Sequence, residues 1–173
     1  SNRFVMTNIT VKSFGCSANF AEGEMMKGLL KKADFAIQES ETDSDVVVVN
    51  ICTVKGDSHA LKEIRKVKEH NPGKKIVVAG CITKSITSQL KKLVPEASLI
   101  GTHNIRFIEE AVKATLENKP VENLTRSYDK KINLPKVRRN PVIGITPISS
   151  GCDSACTFCS VKLVKGKLVS YPI

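Results

Sequence analysis

The six cysteines of this chain form two groups of three, and these thiols are the side chains best suited to chemistry in the sequence. They are Cys16, Cys52 and Cys81 in a first triad and Cys152, Cys156 and Cys159 in a second triad. Cysteine thiolates hold iron–sulfur clusters and structural zinc ions. A chain of this size does not need disulfides for stability and carries no mark of secretion, so metal binding is the better prediction.

The first triad is spread along the chain, but its members occupy equivalent positions. Each cysteine comes just after a predicted strand, and these strands are Ile9–Ser13, Val46–Asn50 and Ile76–Ala79. Ligands of open α/β sheets bind at the carboxyl edge of the strands, so the three thiols are expected to converge there. Gly15 and Gly80 precede two of the cysteines and would let the backbone approach a bulky cofactor. The alternative is that these cysteines are buried and act as small apolar residues. That would explain one cysteine after a strand, but it explains three at equivalent positions less well.

The second triad is local, with the spacing C-x3-C-x2-C immediately after Gly151. This spacing can wrap three thiolates around one face of a cubane cluster, which normally takes four cysteine ligands. Because each triad offers three thiolates, we predict two [4Fe-4S] clusters, each with one open iron where a substrate or co-substrate binds. The alternative is zinc with a histidine as fourth ligand, although His59, His70 and His103 are distant from the motif in sequence.

Strands and helices alternate along the chain before residue 120, and this order must bring the first triad together. Further elements are predicted at Ala21–Lys32, His59–Glu69, Thr83–Leu93 and Ser98–Ile100, and from an Asn104 cap through Leu116. Repeated β-α units with short connections predict an α/β fold, a parallel sheet flanked by helices in a Rossmann/flavodoxin-like three-layer arrangement. No G-x-G-x-x-G follows the first strand, which argues against dinucleotide binding.

Three regions are predicted along the chain. Residues 3–119 form the α/β domain, residues 120–141 form a linker, and residues 142–173 begin another domain with a strand over Val142–Ser149. The linker carries a basic cluster: Arg126, Lys130, Lys131, Lys136, Arg138 and Arg139. This basic cluster either contacts RNA phosphates or is simply solvated.

The net charge of +10 is typical of proteins with a polyanionic partner, although a lysine-rich solubilising surface has the same balance. No apolar run approaches the roughly 20 residues that span a bilayer, so no membrane partner is predicted. The N-terminus lacks the apolar segment of a signal peptide, and Ser1-Asn2 is interpreted as an expression-vector remnant. The chain is therefore predicted to be cytoplasmic.

Four segments resemble the motifs of the radical-SAM tRNA methylthiotransferase family. They are residues 13–19 (SFGCSAN), 50–55 (NICTVK), 79–81 (AGC) and 151–159 (GCDSACTFC), in the family's order. Glu24 and Met26 fit the helix that follows the first motif. Residues 165–172 (KGKLVSYP) are similar to the archaeal and eukaryotic branch, in which this segment ends in Ser-Tyr-Pro. Lys165 departs from the pattern, because the family commonly has arginine there, with the same charge but a different geometry.

The resemblance implies an enzyme that converts N6-threonylcarbamoyladenosine at position 37 of tRNA to its 2-methylthio derivative. It implies that the second triad holds the cluster that binds S-adenosylmethionine, and that the cluster on the first triad carries the sulfur. Phe158 then lies near the adenine of S-adenosylmethionine, or only packs its loop. Asn19 and Asn50 either tune the first cluster through hydrogen bonds to its sulfurs or act as turn and capping residues. No catalytic residue beyond the cluster ligands is predicted.

The resemblance also implies partners, namely the anticodon stem-loop of tRNA and an electron-donor protein, whereas the oligomeric state is not predicted. The radical-SAM (β/α) barrel of the family needs several more β-α units than residues 142–173 supply. We therefore expect the first β-loop unit of an incomplete barrel and no turnover by this chain alone. Two rival functions stay open: a non-enzymatic iron–sulfur electron carrier and a zinc-stabilised nucleic-acid-binding module.

Overall fold

The computed structural model describes residues 5–172, apart from the side chain of Val54. The Ser1-Asn2 pair, the first two residues of the predicted α/β domain and the last residue of the region 142–173 lie outside the described residues. Within the described part of the chain, no helix has the length and apolar character needed to cross a membrane.

The centre of the fold is a six-stranded sheet in which every pairing is parallel. Its strands are β1 Asn8–Ser13, β2 Ala36–Ile37, β3 Val46–Ile51, β4 Lys75–Gly80, β5 Ser98–Gly101 and β6 Glu122–Asn123. The spatial order is β2-β1-β3-β4-β5-β6, so the chain moves outward from β1 to β2 and then continues on the other side of β1. The winding direction therefore reverses between β1 and β3, which is where open α/β sheets bind ligands.

Helices cover both faces of the sheet. They are α1 Ser17–Lys32 and α4 Ile108–Leu116 on one face, and α2 Asp57–His70 and α3 Lys84–Leu93 on the other. The valines of β3 serve both cores, since Val46 and Val48 pack with α1 and α4 while Val47 and Val49 pack with α2 and α3. Successive side chains of a strand point to opposite faces, so a continuous β-branched run is typical of a central strand buried on both sides. The predicted three-layer α/β fold is confirmed.

The last helix of the α/β domain begins later than predicted. A 3₁₀ segment over Thr102–Phe107 precedes α4, and Asn104 lies inside this segment. The buried side chain of Asn104 contacts Asn123 and Thr125, at and just after β6. The prediction that Asn104 caps the helix is therefore wrong. Its side-chain amide makes hydrogen bonds with residues at and just after β6 and not with the first N–H groups of α4.

The strand predicted over Val142–Ser149 is also wrong. Only Ser149 belongs to a strand, β7 Ser149–Ser150, which pairs antiparallel with β8 Val169–Ser170, while the short helix α5 Val161–Lys165 lies between them in sequence. An extended segment forms a strand only when a neighbour satisfies its N–H and C=O groups. Among the described residues no strand runs beside 142–148, and no barrel is seen in that part of the chain.

The segment predicted as a linker is packed against the α/β domain. Its residues 122–123 extend the sheet as β6, next to β5. Further on, the N–H of Val137 donates to the carbonyl of Glu24 on α1 at 3.0 Å. A Cβ added at Gly28 of α1 would lie 2.2 Å from the carbonyl oxygen of Pro135, so the two backbones touch. The boundaries of the predicted regions, however, stay a prediction.

Candidate metal centre at the sheet edge

The first triad lies where three neighbouring strands end. Cys16 follows β1, Cys52 follows β3 and Cys81 follows β4, and these strands are adjacent in the sheet. All three cysteines line one cavity of about 210 Å³ at the carboxyl edge, beside the point where the winding reverses. The structure therefore brings the three predicted ligands to a common site, whereas their binding of iron stays a prediction.

Two glycines allow the cysteine-bearing loops to approach each other. A Cβ added at Gly15 would lie 2.4 Å from the Cβ of Cys52, closer than real carbon atoms come. Gly80 has a φ of +104°, and a Cβ there would lie 2.3 Å from the carbonyl oxygen of Ile51. These glycines therefore make room for neighbouring loops of the protein. The close contact of the loops brings Cys16 and Cys81 towards Cys52.

The three thiols differ in their surroundings. Cys16 is exposed at the start of α1, whereas Cys52 and Cys81 are buried. A hydrogen bond with Cys52, followed by burial, raises the pKa of the Cys81 thiol well above its ordinary value. The Cys81 thiol is therefore neutral in the metal-free protein, and a metal must displace its proton to bind it.

The predicted neighbours Asn19 and Asn50 form a buried pair behind the triad. The Asn19 amide donates to the Asn50 side-chain oxygen and to the carbonyl of Ile51, both at 2.9 Å. The Asn50 amide donates to the Ser13 hydroxyl at 3.0 Å and to the Asn19 carbonyl at 2.7 Å. The pair thus connects β1, α1 and β3 just where Cys16 and Cys52 emerge. Contact of either asparagine with cluster sulfurs stays a prediction.

A group of buried charges forms another wall of the same cavity. The Glu22 carboxylate on α1 accepts from Lys131 at 2.6 Å, from Lys165 at 2.5 Å and from the Thr102 hydroxyl at 2.8 Å. Lys165 also donates to Thr102 at 2.5 Å. We call Glu22, Lys131 and Lys165 the buried charge cluster. No sequence pattern links its members, because the lysines lie 109 and 143 positions after Glu22.

Burial and charge oppose each other within the buried charge cluster. Burial alone would raise the pKa of Glu22, but the charges and hydrogen bonds of the two lysines outweigh it and hold that pKa below its ordinary value. Burial lowers the pKa of Lys131, with Lys165 adding to the effect against the attraction of Glu22. Burial also opposes the charge of Lys165, yet the charge of Glu22 and its hydrogen bond with Lys165 keep the pKa of Lys165 above its ordinary value. Lys165 is therefore the more firmly protonated of the two lysines.

The second triad begins next to a residue that lines this cavity. Gly151, directly before Cys152, lines the cavity, and the N–H of Cys152 donates to the Gly166 carbonyl at 3.1 Å. The backbone N–H of Ser154 donates to the Cys152 sulfur, with an N–S distance of 3.4 Å. The Ser154 hydroxyl oxygen lies 3.2 Å from the Cys156 sulfur. Two cysteines of the second triad thus lie around Ser154.

The other residues predicted for this loop are more open. Cys156 is exposed, Cys159 is half-buried and Phe158 is 92% exposed. Within residues 5–172, no three His, Cys, Asp or Glu side chains are grouped as a ligand set for a metal ion. The role of Phe158 at S-adenosylmethionine therefore stays a prediction, as do the clusters on both triads.

The basic cluster of the linker is only partly available to a nucleic acid. Lys131 belongs to the buried charge cluster and is neither solvated nor able to reach a phosphate. The Arg139 guanidinium lies over the Phe20 ring at 5.0 Å, and Lys136 donates to the Ile145 carbonyl at 3.1 Å. These basic residues therefore also fasten the linker to its surroundings, an interpretation that their sequence pattern did not suggest.

Comparisons with known proteins agree with the motif resemblance. Residues 8–101, more than half of the chain, match the model of a family described as Uncharacterized protein family UPF0004. A probable threonylcarbamoyladenosine tRNA methylthiotransferase of Methanothermobacter thermautotrophicus is 36% identical over 167 residues, covering 95% of this chain and 39% of its own length. The threonylcarbamoyladenosine tRNA methylthiotransferase of Homo sapiens is 38% identical over 176 residues, covering 95% of this chain and 29% of its own length.

The predicted similarity to the archaeal and eukaryotic enzymes is thereby confirmed, and this chain spans less than half the length of either relative. Among solved structures, a response regulator from Thermotoga maritima matches with a TM-score of 0.49 and 18% identity, covering 65% of this chain and 99% of its own. The fold assignment rests on the strand pairings described above.

Proposed function

We propose, from the premise that the chain belongs to protein family UPF0004, that it is part of a radical-SAM tRNA methylthiotransferase. The proposed reaction converts N6-threonylcarbamoyladenosine at position 37 of tRNA to its 2-methylthio derivative, with S-adenosylmethionine and two [4Fe-4S] clusters. The printed names of its archaeal and vertebrate relatives support this substrate. Because the chain spans 29–39% of the relatives named above, the activity is proposed for the whole protein.

The observation that carries the proposal is the shared cavity of Cys16, Cys52 and Cys81, at the ends of three adjacent strands. Three thiols from three strands suit a multi-iron group that needs cysteine ligands on one side and an open position on the other. Lys131 and Lys165 line the same cavity, and their positive charge suits an anionic cluster. The donor set and the charge of the wall thus fit the implied group.

The residues of this chain have separate tasks in the proposed enzyme. The first triad holds one cluster, and Cys152, Cys156 and Cys159 hold the other. The clusters and S-adenosylmethionine supply the radical and sulfur-transfer chemistry, which belongs to the cofactors. The protein positions these groups: Gly15 and Gly80 bring the loops of the first triad together, and Gly151, just before the second triad, lines the same cavity. The exposed Phe158 is proposed to cover the adenine of S-adenosylmethionine.

Iron and acid-labile sulfide per chain, measured after anaerobic reconstitution, test the ligand assignment. We expect about eight irons in the wild type and about four when either triad is changed to alanine, as two independent three-thiolate cubanes require. The triple variant Cys16→Ala/Cys52→Ala/Cys81→Ala is compared with the matched triple variant of the second triad. About four irons in both the wild type and the first-triad variant would refute the assignment of Cys16, Cys52 and Cys81.

Binding of S-adenosylmethionine separates the proposal from a plain electron carrier. Equilibrium dialysis with radiolabelled S-adenosylmethionine should show binding that requires iron and is lost in the variant Cys152→Ala/Cys156→Ala/Cys159→Ala. Iron-loaded protein without such binding would favour the electron carrier, and colourless zinc-loaded protein would favour the zinc-stabilised module. The proposed partners are a tRNA anticodon stem-loop and an electron-donor protein, in the cytoplasm.

A further inference from the structure

The buried charge cluster contains more positive than negative charge. Lys131 and Lys165 share the single carboxylate of Glu22, and no side chain of the three is more than 11% exposed. Among the described residues, no other carboxylate is ion-paired with either lysine. One buried positive charge is therefore left without a counter-charge, in a place where an isolated charge is costly.

This excess charge faces the first triad. Glu22, Lys131 and Lys165 line the same cavity as the three cysteines. The hydrogen bond with Cys52 and burial raise the pKa of the Cys81 thiol, and the positive charge of Lys165 opposes them by favouring the thiolate. Since buried charges in proteins are normally paired, the anion that completes this arrangement belongs in the cavity, at the cysteines.

We propose that Lys131 and Lys165 provide the counter-charge for an anionic iron–sulfur cluster on the first triad and thereby raise its reduction potential. Glu22 is a positioning residue, since it acts by holding the two lysines. This inference rests on the proposed function, because it takes the first triad as cluster ligands. Reduction adds one negative charge to a cluster, so a nearby cation stabilises the reduced form more than the oxidised form.

A purely mechanical role makes a different prediction. The buried charge cluster joins three parts of the chain, α1, the linker and α5, so its loss could simply loosen the cavity. A mechanical role depends on which contacts remain, whereas the electrostatic role depends on the net charge that remains. The two are separated by a variant that removes contacts but keeps the net charge.

The double variant Glu22→Gln/Lys131→Met is such a variant, because it removes one anion and one cation and leaves Lys165 as the excess charge. Neutral replacement of a buried ion pair is often tolerated, whereas removal of one partner leaves a buried charge unpaired, so the double variant is expected to fold better than Glu22→Gln alone. Lys131→Met alone removes the excess charge. Lys165→Arg keeps the charge in a different geometry, and Lys167→Met removes an exposed lysine two residues further along as the matched control.

The measurement is the midpoint potential of the first cluster, by dithionite titration followed by electron paramagnetic resonance, in the background Cys152→Ala/Cys156→Ala/Cys159→Ala. We expect Lys131→Met to lower the potential by about 59 mV, a tenfold change in the one-electron equilibrium. We expect the double variant, Lys165→Arg and Lys167→Met to stay close to the parent. Circular dichroism and iron content show that each variant is folded and loaded.

The outcomes separate this inference from the proposed function. If the parent protein takes up no iron in this background, the ligand assignment of the first triad fails and the inference fails with it. If iron is taken up but Lys131→Met leaves the potential unchanged, only the inference fails. It fails equally if the double variant shifts the potential as far as Lys131→Met does, because contacts and not charge would then be responsible.

Discussion

Glu22 on α1 and Lys165 on α5 form a buried ion pair at 2.5 Å, although 143 positions separate them in the sequence. Lys165 directly precedes Gly166, whose carbonyl accepts from the N–H of Cys152. One carboxylate on the first helix is thereby connected, in two steps, to the loop of the second triad. The pair therefore bears on the placement of both cysteine triads.

Acid should weaken this connection. The pKa of Glu22 is held below its ordinary value in the folded protein, so its stabilising contribution is fully present above the unfolded pKa of about 4.3 and is lost as the pH falls through the lower folded pKa. At pH 7, Glu22→Gln should cost about 3–5 kcal/mol, because it leaves two buried lysines without a counter-charge. Urea unfolding of the iron-free protein between pH 7 and pH 3 measures both effects.

The control for this prediction is Glu109→Gln, which removes a carboxylate from the exposed pair with Lys113. That change should cost less than about 1 kcal/mol at any pH in the range. The difference between wild type and Glu22→Gln should shrink as the pH falls. A difference that stays constant down to pH 3 would show that Glu22 does not contribute through its charge.

Gly15 should tolerate no side chain. A Cβ there would meet the Cβ of Cys52 at 2.4 Å and the side chain of Asn19 at 2.7 Å, and neither neighbour is the end of a flexible chain. Gly15→Ala should therefore cost about 1–3 kcal/mol by overpacking and reduce iron uptake at the first triad. In the control Gly144→Ala, the atoms nearest to the added Cβ belong to the flexible Arg138 guanidinium, at 3.3 Å and beyond, so stability should change by less than about 1 kcal/mol.

Thermal unfolding of the reduced, iron-free variants and iron content after reconstitution give the two readouts for Gly15. Gly15→Ala with wild-type stability and full iron content would mean that the β1 and β3 loops are not packed as described. Loss of stability in Gly144→Ala of the same size would show a general effect of alanine in these loops.

The six thiols should differ in their rates of alkylation. In the reduced, iron-free protein at pH 8, Cys16 and Cys156 are exposed and should react with iodoacetamide first. Cys52 and Cys81 are buried, and the raised pKa of Cys81 keeps its thiol protonated, so both should react only when the structure opens. Peptide mass spectrometry at successive times measures each site.

Denaturation provides the control for the thiol rates, because in urea all six cysteines should react at similar rates. Modification of Cys81 as fast as that of Cys16 in the folded protein would contradict the buried position of Cys81. Reconstitution with iron should in turn slow the reaction of Cys16, since a bound thiolate is not available to the reagent.

Much of the fold could be predicted because the sequence patterns that specify its strands and helices are local. The β-branched run of β3 specifies a strand buried on both faces, and the cysteine after each strand follows from the chain direction that all parallel strands share. The prediction failed where local signals depend on a neighbour. Residues 142–148 alternate like a strand but have no pairing partner among the described residues, and Asn104 resembles a cap but contacts residues near β6.

The sequence by itself therefore determined the α/β fold class, the two cysteine triads and the convergence of the first triad at one sheet edge. Only the tertiary structure showed that Glu22, Lys131 and Lys165 meet in the wall of the cysteine cavity. The physical reason is that hydrophobic patterns are local in the sequence, whereas these ion pairs join residues far apart in it. Hydrophobic periodicity repeats every two to four residues, whereas an ion pair between residues 109 or 143 positions apart leaves no periodic trace and exists only once the chain has folded.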